Sequence, residues 1–514
     1  MNLNLATLLE NAARQYPART ALIEGERKIT YKELDTLASR VAVGMEAHGI
    51  GVGDTVALSS ANTIEFVASF FGVLKTGASI MPLNFLLRAQ EIRTQLEFSA
   101  ASAYICQEDT GPLACGTEGR KAFSEVPVCK FLWLIGGKKT EDASESCSTF
   151  EELTNNKAQG YSAKPISGEQ VAIVSFTSGT TGNPKAACVS HQSEYSGSYG
   201  TVTAYGYTKD DVLVTVVPLF TSIAQVLILS PMLSVGGCLV LLPRFDPASV
   251  LDAISRHRGT VFIGVPTMLV RLAQTGGDCT PLREHWRLVI YGGSPLLAES
   301  RALFQETVGV PLRQAYGLTE ARFCAPSPAD IGAYESPDAL VPAMGYTFRI
   351  VDSEMTDVPS GEKGELVMRG PGIMLGYLNN PSQNEQTFQG TWFHTGDIAI
   401  QASDGAYYLV GRIKDVISRG GYKVYPADVE AVLRTHPEIA DAAVLGVPHP
   451  EYGEEVAAAL ILKPGISIDL NALQPWLREA LPPHQFPRML RVIECLPMTP
   501  TGKVQKRELV GLFA

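Results

Sequence analysis

Nine residues constrain this chain more than any other stretch: Thr177-Ser178-Gly179-Thr180-Thr181-Gly182-Asn183-Pro184-Lys185. They follow an apolar run, Val171-Ala172-Ile173-Val174, which reads as a short buried strand. Two glycines and a proline within the stretch argue against a helix, and Pro184 removes a backbone donor just before the lysine. Glycine lets the backbone come close to a ligand. Free N–H groups, four hydroxyls and one ammonium can then converge on a single anion, a chemistry that suits polyphosphate. The spacing is not Gly-x-x-x-x-Gly-Lys-Ser/Thr, so this is not the common nucleotide-binding P-loop. Taken alone, the stretch also reads as a polar surface loop.

The surrounding pattern narrows the fold. An amphipathic helix is expected near residues 5–16, from Leu5, Leu8, Leu9 and Ala12. Strands are expected at 21–24, 28–30, 55–58, 79–82, 212–217, 238–242, 261–265 and 288–291. Helices are expected at 31–48, 64–74, 250–256 and 299–307. Strand, helix and strand in repeated alternation predict a parallel sheet with covering helices. Near residue 340 the pattern becomes one of short antiparallel strands separated by Gly and Pro turns, at 348–351, 364–368, 398–400 and 406–410. After residue 415 about a hundred residues remain, a usual domain size. They read helix, strand, strand, helix, strand, helix. The charged and serine-rich segment 136–148 is expected to be a surface loop.

Composition removes several function classes. The 514 residues, 45% hydrophobic and 18% charged, are globular and sufficient for more than one domain. A net charge of −11 argues against a nucleic-acid binder. Nine scattered cysteines without a Cys-x-x-Cys pair, and eight dispersed histidines, predict reduced thiols in a cytoplasmic protein and no metal cluster. The apolar stretch 223–242 is broken by Gln225, Ser230, Pro231 and Gly236-Gly237. It is expected to be a buried helix, turn and strand, not a transmembrane segment. No secretory signal is expected at the N-terminus.

Further motifs follow the nonapeptide: Tyr291-Gly292-Gly293-Ser294-Pro295, Tyr316-Gly317-Leu318-Thr319-Glu320, Trp392-Phe393-His394-Thr395-Gly396-Asp397, Gly411-Arg412-Ile413-Lys414-Asp415, Ser418-Arg419-Gly420-Gly421-Tyr422 and Pro497-Met498-Thr499-Pro500-Thr501-Gly502-Lys503. Each by itself also has an ordinary reading: a turn at 292–295, 395–397 and 420–421, core packing at Tyr316, a surface salt bridge at Arg412 and a solvated lysine at Lys503. Together, in this order, they resemble the motif set of the adenylate-forming superfamily, which includes acyl-CoA synthetases, peptide-synthetase adenylation domains and luciferases. The resemblance covers essentially the whole chain.

The resemblance implies an α/β fold with a β-rich subdomain in a large N-terminal domain, 1–411, a hinge at 412–415, and a small mobile α+β C-terminal domain, 416–514. It implies an AMP-forming acid–thiol ligase. ATP would be held by Thr177, Ser178, Gly179, Thr180, Thr181, Gly182 and Lys185. Gly292, Gly293 and Ser294, with Gln314, Ala315, Tyr316, Gly317 and Leu318, would lie against the nucleotide. Asp397 and Arg412 would reach the ribose. Thr319 would donate to phosphate and Glu320 would hold Mg2+, which prefers carboxylate and phosphate oxygens. Lys503 would be the catalytic lysine, Lys414 the hinge, and Gly420 and Gly421 the walls of the thiol tunnel. Phe220, Thr221, Gln225, Pro266 and Arg322 would border the acyl pocket.

Two departures stand out. Ala186 follows Lys185 where the family usually has glycine, and Thr221 follows Phe220 where many acyl-CoA synthetases have histidine. The second bears on the pocket gate and on the acceptor. The implied substrates are a fatty, aromatic or branched carboxylic acid, ATP and CoA, with an acyl carrier protein as the alternative acceptor. A monomer or homodimer is expected. A non-catalytic nucleotide-binding protein is the rival outside enzymes, and the joint presence of Glu320, Asp397, Arg412 and Lys503 weighs against it.

Overall fold

A computed structural model describes residues 2–111, 113–137, 146–177, 185–275, 279–334, 336–468, 470–498 and 504–513. By internal contacts the chain forms two compact units. The first comprises Met1–Ala329, Pro342–Tyr346 and Gly370–Gln386; the second comprises Asp330–Val341, Thr347–Arg369 and Thr387–Ala514. The stretch 412–415 therefore lies inside the second unit.

The first unit holds two eight-stranded sheets. In one, Leu312–Tyr316, Leu288–Gly292, Val261–Gly264, Val212–Thr215, Cys238–Leu241 and Thr20–Glu24 run parallel in that spatial order. The short strands Ala325–Pro326 and Arg27–Thr30 close its two edges antiparallel. In the other, Val171–Thr177, Ser79–Leu83, Thr55–Ser59, Ala103–Gln107, Phe131–Ile135 and Cys147–Thr149 run parallel. Lys185–Ser190 and then Gly376–Tyr377 extend that sheet antiparallel.

One apolar core joins the facing sides of these sheets through the helices Tyr31–Ala47 and Ile64–Lys75. The sequence explains both helices. Thr30 and Glu33 form a reciprocal cap at the start of the first. The second, Ile64-Glu65-Phe66-Val67-Ala68-Ser69-Phe70-Phe71, is apolar nearly all round, as a helix covered on both sides must be. Separate cores cover the outer face of each sheet.

The stretch 222–235 is helical as expected, with an unexpected irregularity. Ser222–Ala224 and Ser230–Val235 are α-helical, and Gln225–Leu229 between them is a π-helical turn. Helix His191–Tyr205 has no counterpart among the expected elements. Its buried positions are almost all polar or glycine, among them His191, Ser193, Glu194, Gly197 and Thr201, so it carries no amphipathic signal. The expected loop 136–148 needs correcting at its end, where Cys147–Thr149 pairs as a sheet-edge strand beside Phe131–Ile135; residues 138–145 lie outside the described residues.

The second unit contains an antiparallel sheet of Thr347–Val351, Lys363–Arg369, Trp392–Gln401, Phe388–Gln389 and Tyr407–Arg412. It also contains a five-stranded sheet in which Ile439–His449 and Gly453–Leu462 form the long central pair. Helices Pro426–Arg434, Leu470–Ala480 and Lys506–Val510 accompany that sheet. Among the described residues, no helix is long and apolar enough to cross a membrane.

Candidate active site

In the first unit, two pairs of strand ends, one pair in each eight-stranded sheet, carry several of the expected nucleotide residues. Strand Val171–Thr177 delivers Thr177, and Lys185 returns directly opposite it. The Thr177 hydroxyl donates to the Lys185 carbonyl at 3.4 Å. Residues 178–184 lie outside the described residues, and with them Ser178, Gly179, Thr180, Thr181 and Gly182.

Gly292 ends one parallel strand and Ala315 stands opposite it on the next. A Cβ on Gly292 would meet the Ala315 carbonyl at 2.9 Å and Ile223 Cδ1 at 3.3 Å. Glycine is what lets this strand end pass close to the helix that begins at Ser222. Gly293 and Ser294 continue into the turn that follows. Gln314 is fixed on three sides: Tyr291 Oη donates to its Oε1 at 3.2 Å, Tyr205 Oη donates to its carbonyl at 2.7 Å, and its own N–H donates to Ser327 Oγ at 3.0 Å. Tyr316 ends the strand in a buried position, and Gly317 and Leu318 lead out of it.

Thr319 and Glu320 follow, half-buried. The Thr319 and Ser222 hydroxyls share a hydrogen bond of 3.3 Å. The Glu320 carboxylate accepts from Tyr377 Oη at 2.7 Å. Lys185 Nζ lies 5.6 Å from the centre of the Tyr377 ring. Lysine, tyrosine and glutamate thus stand together at the start of strand Lys185–Ser190. Tyr377 is a residue that sequence reasoning missed. It sits in a two-residue strand paired with Ala187, far away in sequence, so no local pattern marks it.

The residues expected to border the acyl pocket belong to the same unit. Phe220 meets Phe85 edge-on at 5.9 Å. Thr221 caps the short helix after it, accepting from the Ala224 N–H, and donates to the Pro218 carbonyl at 2.7 Å. Gln225 opens the π-helical turn. Its Nε2 donates to the Phe220 carbonyl at 2.9 Å, and its buried Oε1 has no hydrogen-bond partner among the described residues. Pro266 is buried at the start of helix Pro266–Gln274. Arg322 is wholly buried, with Nε 3.2 Å from Oε2 of an equally buried Glu194. Its Nη2 donates to Ser175 Oγ at 3.3 Å, on strand Val171–Thr177. Burial pushes the Glu194 carboxyl up and the Arg322 guanidinium down, and each charge opposes that shift in the other.

In the second unit, Asp397 and Arg412 face one another across paired strands, with Nε and Oδ1 2.8 Å apart. Asp397 is buried and Arg412 is partly open to solvent. Lys414 is exposed in a single 3-10 turn, Ile413–Asp415. Gly420 and Gly421 have φ of 56° and 87°, and they turn the tight hairpin between Ile417–Arg419 and Tyr422–Val424. Two successive positive φ values are what such two-residue turns need. Lys503 lies outside the described residues.

The AMP-binding enzyme family matches residues 9–378, and the AMP-binding enzyme C-terminal domain matches residues 428–503. The chain belongs to this adenylate-forming family. It is 32% identical over 510 residues to a feruloyl-CoA synthase from Amycolatopsis sp, across 98% of this chain and 97% of that protein. Its fold matches the ATP-bound MatB from Rhodopseudomonas palustris with a TM-score of 0.89 and 28% identity, covering 100% of this chain and 99% of that one. It also matches the anthranilate CoA ligase AuaEII in complex with anthranoyl-AMP, with a TM-score of 0.88 and 27% identity over 100% of this chain and 98% of that one. Membership makes the chain an AMP-forming ligase with a mixed α/β fold.

Proposed function

We propose that this adenylate-forming enzyme activates an apolar carboxylic acid, with an aromatic acid as the first candidate, and transfers the acyl group to the thiol of CoA. The observation that carries this reading is the grouping of Lys185, Tyr377 and Glu320 beside the phosphate loop. An ammonium and a carboxylate there are suited to ATP and to a nucleotide-bound cation respectively. The close approach of Ile223 to Gly292 gives the neighbouring seam an apolar wall. The feruloyl-CoA synthase and the anthranilate CoA ligase, by their names, act on aromatic acids.

In the first half-reaction the acid's carboxylate attacks the α-phosphate of ATP, forming acyl-adenylate and releasing pyrophosphate. Here the protein's work is positioning and charge neutralisation. Lys185 and the hydroxyls of the phosphate loop bind the phosphates, Asp397 and Arg412 bind the ribose, and Lys503 neutralises charge as the carboxylate attacks. Mg2+ fits the donors present. Glu320 supplies one half-buried carboxylate, and Thr319 and Ser222 supply hydroxyls nearby. Mg2+ commonly takes one or two carboxylates and completes its shell with phosphate oxygens and water. When bound, it would neutralise phosphate charge. In the second half-reaction the CoA thiol displaces AMP and leaves a thioester. Lys414 serves as the hinge between the two reactions, and the Gly420-Gly421 turn leaves room for the pantetheine arm.

The test is carboxylate-dependent pyrophosphate release from Mg-ATP over aromatic, fatty and small acids, with and without CoA. Release that needs an aromatic acid and runs on to a thioester with CoA is the expected result. Release without a thioester would redirect the acceptor to a carrier-protein arm and implicate Thr221. Lys503→Ala is expected to suppress pyrophosphate release and to spare thioester formation from supplied acyl-adenylate. Equal loss of both steps would refute that division of labour.

A further inference from the structure

Glu320 carries a single carboxylate on a loop that follows a strand end, and such a side chain has several rotamers open to it. Its neighbourhood removes that freedom. Ala321 pairs with Ile373, and the Met374 N–H donates to the Glu320 carbonyl at 2.8 Å. The Leu375 and Leu378 N–H groups donate to the carbonyls of Cys188 and Ala186, each at 2.8 Å. Asn384 then brackets Tyr377, accepting its N–H at 2.6 Å and donating to its carbonyl at 3.1 Å. The segment 373–378 is thereby stitched to the acidic loop on one side and to the strand that begins at Lys185 on the other. Tyr377 projects from this segment, 9% exposed, and its hydroxyl donates to Glu320 Oε1.

We propose that Tyr377 is a positioning residue for the cation carboxylate: its hydroxyl holds one oxygen of Glu320 and leaves the other to the nucleotide-bound Mg2+. This rests on the reading of Glu320 as the metal ligand. A hydrogen bond to an ionised carboxylate is short and roughly twice as strong as a neutral one, so it can fix the rotamer without competing for the charge. The ring has a separate task. It lies within cation–π range of Lys185, so one side chain touches both the phosphate-binding ammonium and the cation-binding acid.

Tyr377→Phe separates the two tasks, because it keeps the ring and removes only the hydroxyl. The full-length protein is titrated calorimetrically with ATP in Mg2+ and with ATP in EDTA, in wild type, Y377F, E320Q and the double variant, and the thermal midpoint of each is recorded. The expected result is about a tenfold loss of affinity for Mg-ATP in Y377F, the worth of one hydrogen bond to a charged group, with ATP in EDTA unchanged. The half-saturating Mg2+ concentration for pyrophosphate release should rise by a similar factor, while thioester formation from supplied acyl-adenylate holds. In the E320Q background, Y377F should add nothing further. An equal loss with and without Mg2+, or a full Y377F effect persisting beside E320Q, would overturn the role given to Tyr377. If E320Q itself left Mg-ATP affinity intact, the assignment of Glu320 would fall and take this proposal with it.

Discussion

Two arginine–carboxylate pairs lie in the two compact units, and they are built for different ends. Arg322 and Glu194 are both 0% exposed and 3.2 Å apart, and Arg322 also donates to Ser175 on strand Val171–Thr177. Arg412 is 38% exposed and Asp397 6%, and they stand 2.8 Å apart across a pair of strands. The first pair is shut away from the surface, and each charge has the other as its counter-ion. The second keeps one member at the surface, where a ligand can share it. A sequence shows four charged residues; burial decides which pair holds the fold and which can meet substrate.

Breaking the buried pair should have the largest effect. Arg322→Met leaves Glu194 as an uncompensated internal charge and should cost about 3–5 kcal/mol of unfolding free energy, read by urea denaturation. Joining Glu194→Leu to it should restore most of that loss, since an apolar pair of similar volume is often as stable as a buried ion pair. A single variant as stable as wild type would show that this pair does not hold the fold.

Next comes His191, on the same helix as Glu194. Its Nδ1 accepts the Leu5 N–H at 3.0 Å, and burial pushes its pKa down to about 4. In the unfolded chain the ring takes up a proton near its ordinary value of about 6.5; in the folded chain it does so only near the depressed one. The unfolded state therefore binds more protons between these values, and stability should fall as pH drops from about 6.5 toward 4, by about 3 kcal/mol at most. Melting wild type and His191→Gln across that range checks it: the difference between the two proteins should change with pH over that window and be flat above it.

The half-open pair should behave in the opposite way. Arg412→Ala should cost no more than about 1 kcal/mol of stability while weakening AMP binding by about tenfold. A large stability loss with unchanged AMP affinity would erase the distinction between the two pairs. The smallest effect belongs to Lys363, 2.6 Å from Asp428 and 4.4 Å from the Tyr425 ring centre within the second unit. Lys363→Ala should move stability by less than about 0.5 kcal/mol, while changing the rate of thioester formation relative to adenylation if the turn at Lys414 is the hinge.

The contrast between these pairs also marks how far the sequence could be read. The parallel strands announced themselves because each is a short apolar run bounded by turn residues, as at Val261–Gly264 and Leu288–Gly292. The motif-bearing segments could be picked out for a similar reason: each, as at Thr319-Glu320 and Gly420-Gly421, is a run of a few residues in the chain. Helix His191–Tyr205 was not legible, because its buried face is built of Ser, Gly, Glu and Tyr, and no apolar period exists to detect. The Glu194–Arg322 pair and the Tyr377–Glu320 hydrogen bond were hidden for a different reason. Each joins residues far apart in the chain, and only the sheet order brings them together.

The π-helical turn at Gln225–Leu229 carries a consequence of another kind. Such a turn holds one residue more than the α-helix around it needs. Deleting a single residue there would let the segment close into an ordinary α-helix and rotate everything on one side of it by about 100°. The wall that begins at Ser222 and Ile223 would then present different side chains, while the sheets and the motif loops stayed as they are. A change of one codon triplet in length would thus alter which side chains lie against the strand end at Gly292 without altering either sheet.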